Sequence, residues 1–109
     1  MNEQQYNKAI KHFQSGNFDL AEDNLKQAIK FEPHNLKYQN LLSILLINNK
    51  KFNQAIDVLK KILEIDNDFI DAIINLSNIY TDLDLPEKAV KYFDRASKLQ
   101  PKNIDLLIN

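Results

Sequence analysis

Apolar and polar positions along this chain return at a fixed interval. Ala21, Ala55 and Ala89 stand 34 residues apart, and small residues recur at the same interval at Ala9, Ser43 and Ser77. Large apolar residues form two more columns, Leu25, Leu59 and Phe93, then Phe31, Ile65 and Leu99. Turn-forming residues fill another, Pro33, Asn67 and Pro101, and no column contains an insertion. A period of that length marks helix-turn-helix units stacked into a solenoid. The chain has one glycine and three prolines and no run of β-branched alternation, so long helices with short connections fit it best. The pattern predicts helices near 3–15, 19–31, 37–49, 53–65, 71–83 and 87–99, with a seventh starting near 104. Gly16-Asn17 supplies the left-handed backbone that ends a helix. Asp84-Leu85-Pro86 offers an N-cap followed by proline in the first turn, where its missing N–H costs little. Pro33 and Pro101 stop the second helix of their units.

The small columns mark where paired helices cross closely, and a bulky residue there would strain the core by about 1–3 kcal/mol. Several stretches carry a more specific signature. They are Gly16-Asn17-Phe18-Asp19-Leu20-Ala21, Leu25-Lys26-Gln27-Ala28 and Glu32-Pro33. In the third unit they are Leu76-Ser77, Tyr80, Ala89, Phe93, Ala96 and Pro101. This pattern resembles the tetratricopeptide repeat. The resemblance implies an all-α, right-handed superhelical solenoid. It reads as a single domain over 1–109, with repeats 2–35, 36–69 and 70–103 and the start of a fourth at 104–109. The first repeat departs from the family pattern. Gln5, Lys8 and His12 hold places usually given to an aromatic, a leucine and a tyrosine, and the apolar stripe is instead Tyr6, Ile10 and Phe13. Either the first helix is rotated or these three face the groove. The mid-repeat glycine survives only as Gly16, replaced by Lys50 and Asp84.

Composition narrows the function. The net charge is −1, and lysines are spread along the chain, so no concentrated basic face is expected for nucleic acid or for anionic membrane surfaces. No cysteine is present, which excludes disulfides, thiolate metal sites and a cysteine nucleophile. The polar start, Met1 to Tyr6, lacks the basic and apolar regions of a signal peptide, and a cytoplasmic location is the default expectation. The apolar run Ile44–Ile47, with Leu41 and Leu42 before Ser43, is too short for membrane insertion.

Candidate chemistry is sparse. His12 has Gly16 four residues on, so the helical metal-pair spacing is absent, and His34 follows Pro33 in a turn. Asp66-Asn67-Asp68 resembles the start of a calcium loop, but Asp71 and Ser77 stand where that loop needs glycine and glutamate. Asp82 and Asp84 read as a cap and a surface charge at a helix end. No phosphate-cradling glycine loop exists. The expectation is a non-catalytic protein with no cofactor and no metal.

The resemblance also implies a binding surface. First helices of such repeats line a concave groove. The family's contact positions correspond here to Glu3, Tyr6, Asn7, Ile10, Phe13 and Gln14. In the second repeat they are Lys37, Asn40, Leu41, Ile44, Ile47 and Asn48, and in the third Asp71, Ile74, Asn75, Asn78, Thr81 and Asp82. Leu41 to Ile47 is apolar except at Ser43, and a helix apolar all round is expected to be covered all round. Leu41, Ile44 and Ile47 would stay on the groove beside Tyr6, Ile10 and Phe13, and a contiguous exposed apolar patch marks a binding site. Asn7, Asn75 and Asn109 share one column, and asparagine can satisfy an extended peptide backbone. A subset of the family clamps acidic chaperone tails with lysines at places held here by Tyr6 and Asp71, so that ligand is not expected. The expected partner is a protein or peptide. An amphipathic helix with basic residues fits a groove that is apolar in repeats one and two and acidic in repeat three. The alternative is a structural role, with homo-oligomers formed through the groove or through an uncapped C-terminal edge at Ile104, Leu106, Leu107 and Ile108.

Overall fold

The computed structural model describes residues 2–99, which form six α-helices. They are α1 (Asn2–Gln14), α2 (Phe18–Phe31), α3 (Leu36–Asn48), α4 (Phe52–Ile65), α5 (Ile70–Asp82) and α6 (Pro86–Leu99). No strand occurs among the described residues. The expected seventh helix and the edge residues Ile104, Leu106, Leu107 and Ile108 lie outside them.

Every helix starts one residue earlier than the sequence pattern predicts, and α1, α3 and α5 also end one residue earlier. The three turns within helix pairs share one cap. Gly16, Lys50 and Asp84 hold the left-handed conformation, with φ of 81°, 60° and 60°. The N–H of each donates to the carbonyl three residues back, in Phe13, Ile47 and Thr81. The next N–H, from Asn17, Lys51 and Leu85, donates five residues back to His12, Leu46 and Tyr80 at 2.7–2.8 Å. This paired pattern satisfies the carbonyls that a helix end leaves open. It fits a complete reversal into three residues. Asp84 therefore closes α5, and the expectation that it caps α6 is corrected; Pro86 does open α6.

The longer links carry their own devices. Asn35 caps α3, its side chain accepting from the Tyr38 N–H at 3.3 Å. At the next link the Asp66 carboxylate accepts from the Asp68 N–H at 3.1 Å, and Arg95 donates to the Asn67 carbonyl and side chain. The stretch resembling a calcium loop is thus a hydrogen-bonded turn.

The chain divides into two compact units, with the boundary between Val58 and Leu59 inside α4. In unit 1, α1 packs on α2 and α2 on α3. Its core joins Ala9, Ala21, Leu25, Ala28, Tyr38 and Leu45, with Tyr6, Phe13, Phe18, Ile29, Leu41 and Leu42 packed against it. Ala9 and Ala21 are fully buried, as the small columns require. In unit 2, α5 packs on α6. Ile73 and Ala96 are covered by Leu63, Ile70, Ile74, Tyr92 and Phe93. There the small column does more than make room: the Ser77 hydroxyl donates to the Ala89 carbonyl of α6 at 2.9 Å. Ser43 instead bonds within its own helix, to the Asn40 carbonyl at 2.6 Å.

Candidate functional site

The first helix keeps the register of its counterparts, because Ala9 is buried in the column it shares with Ser43 and Ser77. Gln5 is half-buried and accepts from the Asn24 side chain of α2 at 2.8 Å, which fills the place of the usual aromatic with a polar bridge. Lys8 is exposed and His12 half-buried.

Tyr6 is half-buried and stacks on Tyr38 of α3, with ring centroids 5.1 Å apart and planes inclined by 28°. The Lys37 ammonium sits over the Tyr6 ring, 4.7 Å from its centroid. Both contacts are favourable for an electron-rich ring face. Beneath them the Tyr38 hydroxyl donates to the Glu32 carboxylate at 3.3 Å. Burial pushes the Tyr38 phenol above its ordinary pKa, and the Glu32 charge and hydrogen bond add to that, so the ring stays neutral and the hydroxyl stays a donor. Phe13 is half-buried and tilted against Phe18, with centroids 5.6 Å apart.

On α3, Ser43, Leu45 and Leu46 are buried, while Leu41, Leu42, Ile44 and Ile47 are only half-buried. Ile10 on α1 is half-buried as well. Of the polar candidates in unit 1, Asn7, Gln14 and Asn48 are exposed and Asn40 is half-buried. Unit 1 therefore presents incompletely covered aliphatic side chains near a stacked tyrosine pair, with amide groups among them.

The candidates of unit 2 are more polar. Asp71, Asn78 and Asp82 are exposed, while Ile74 and Asn75 are half-buried. A hollow of about 260 Å³ is lined by Ile74, Ser77, Asn78, Thr81, Phe93 and Ala96. Hydroxyl, amide and hydrocarbon groups meet there without a nucleophile-and-base pair. Among the described residues no three His, Cys, Asp or Glu side chains come together to hold a metal ion. None of the described helices is long and apolar enough to cross a membrane.

Two features escaped the sequence pattern. The Lys37–Tyr6–Tyr38 stack needs the α1–α3 approach to be known. The Gln5–Asn24 bridge has no signal at all in the spacing.

A tetratricopeptide repeat family model matches residues 12–68 and again residues 46–107. The chain belongs to the tetratricopeptide repeat family. Its curated relatives include tetratricopeptide repeat protein 17 of Homo sapiens, 34% identical over 84 residues that make up 75% of this chain. The Danio rerio protein of the same name is 32% identical over 84 residues. The chain spans only 7% of the length of these relatives. Among solved structures, MamA superposes with a TM-score of 0.85 at 24% identity, covering 96% of this chain and 61% of that one. The first tetratricopeptide repeat domain of Spaghetti (RPAP3), bound to the HSP90 peptide SRMEEVD, gives 0.85 at 19% identity, covering 98% and 92%. YrrB, described as having an unusual peptide-binding site, gives 0.84 at 21% identity, covering 92% and 52%. These likenesses establish an all-α helical repeat fold.

Proposed function

We propose that the chain is a non-catalytic recognition module whose α1 and α3 face takes apolar anchors of a protein or peptide. The observation that carries this reading is the incomplete burial of Ile10, Leu41, Ile44 and Ile47. Aliphatic side chains left half in water by the fold gain about 25 cal/mol for each Å² a partner covers. The stacked Tyr6 and Tyr38 stiffen the neighbouring surface, so little ordering is required on binding. Peptide-bound and peptide-binding neighbours of the same fold support the class of partner. An amphipathic helix, which gathers apolar side chains on one face, is the simplest partner of this kind.

Peptides selected from a displayed random library on the whole chain test this. Ile44→Asp should remove most of the affinity of the selected peptides, because it puts an unpaired charge into the apolar contact. Selected peptides that bind Ile44→Asp as well as the parent would refute the assignment to this face.

A further inference from the structure

The three repeats have equal length, so each position of the third has two counterparts at the same place in a helix pair. At the α5–α6 turn the third repeat departs toward apolar residues. Leu83 stands where the others have Ser15 and Asn49, and Leu85 where they have Asn17 and Lys51. Leu83 is 37% and Leu85 41% exposed. The first two repeats are each followed by another helix pair while carrying polar residues there. Stacking therefore does not call for leucine at either place.

Beside the leucines the packing opens. In unit 1 the Phe13 and Phe18 rings close this corner of the hairpin. Their counterparts in the third repeat are Thr81 and Pro86, and a hollow of about 220 Å³ remains, lined by Thr81, Asp84, Pro86, Ala89 and Val90. Val90, more than half exposed, holds the place of Glu22 and Ile56. A second hollow of about 210 Å³ shares Pro86 and is lined by Leu85, Glu87 and Lys88 as well. The rim is acidic. Asp82, Asp84 and Glu87 are exposed, and none forms an ion pair among the described residues. The nearby Lys88 ammonium is held over the Tyr80 ring, 5.5 Å from its centroid.

We propose that the α5–α6 turn is a second docking site, separate from the α1–α3 face. Its partner is a protein segment carrying one bulky apolar side chain flanked by lysines or arginines. The apolar anchor enters the corner left by the missing rings, where Ala89 and Pro86 give it a hydrocarbon floor. Leu83, Leu85 and Val90 cover its neighbours. The flanking cations meet Asp82, Asp84 and Glu87, which pair with no cation among the described residues. An apolar centre with a charged rim is the usual anatomy of a small interface.

A synthetic peptide with a central phenylalanine between lysines, titrated into the isotope-labelled whole chain, tests this by NMR. Saturable shifts are expected at Leu83, Leu85, Ala89 and Val90. Thr81→Phe, which refills the corner, should weaken binding by about tenfold or more, the scale of one lost apolar anchor. Leu83→Ser with Leu85→Asn installs the residues that repeat one carries in a folded hairpin, and should have a similar effect. Asp84→Asn with Glu87→Gln should cost less and flatten the salt dependence. A peptide with glutamates in place of lysines should not bind, and Ile44→Asp should leave binding unchanged, which separates this site from the α1–α3 face. Equal binding of the glutamate peptide, shifts centred away from the turn, or indifference to both the Thr81 and the leucine variants would overturn the proposal. So would shifts of these same resonances on concentrating the protein alone, which would make a second copy the occupant.

Discussion

Lys50 holds φ at +60°, a region where a side chain crowds the following carbonyl at a cost of roughly 1–2 kcal/mol. The cap gains two hydrogen bonds from that geometry, so the strain persists. Gly16 occupies the same place without strain, and Asp84 tolerates it better than lysine because a short polar side chain suits the left-handed region. Lys50→Gly should therefore raise stability by about 0.5–1 kcal/mol, the relief of strain less the entropy that glycine adds to the unfolded chain. Gly16→Ala should lower it, even though no atom lies within 4 Å of where its Cβ would stand. Thermal melts of the two variants check both signs, and a shift of a few degrees in opposite directions is expected.

The helix pair is the element in which sequence and packing agree most closely. Ala21 is fully buried in the core that joins α1 to α2. Ala21→Leu should destabilise by about 1–3 kcal/mol through overpacking, while Lys60→Ala, at an exposed position of α4, should change little. Equal chemical-denaturation midpoints for the two would contradict the close crossing. The six helices were legible because small and large apolar residues keep their columns through every repeat. The left-handed turn was legible at Gly16 but not at Lys50 and Asp84, because neither side chain announces a positive φ. At the candidate face the half-covered aliphatics of α3 followed from the run Leu41–Ile47, whose all-round apolarity exceeds what its buried side needs. The tyrosine stack did not follow, because it depends on which side of α1 meets α3. The corner at Thr81 and Pro86 was equally silent. Its meaning comes from comparing it with two rings that touch in the first repeat.

At the scale of the whole molecule, repetition makes function readable. Every residue has counterparts that serve the same fold, so a residue that differs without structural need stands out. The half-covered aliphatics of α3 stand out by excess apolarity, and Thr81 and Pro86, in the columns of Phe13 and Phe18, by lost bulk. The three-residue reversals have a further consequence, for the route by which the chain folds. They let α1 meet α2, and α5 meet α6, after closing very short loops, so little chain entropy is lost before contacts form. Each hairpin can then serve as a starting point for growth in either direction. A substitution that weakens one hairpin diverts folding through the other, and the chain reaches the same native state by a different order of events.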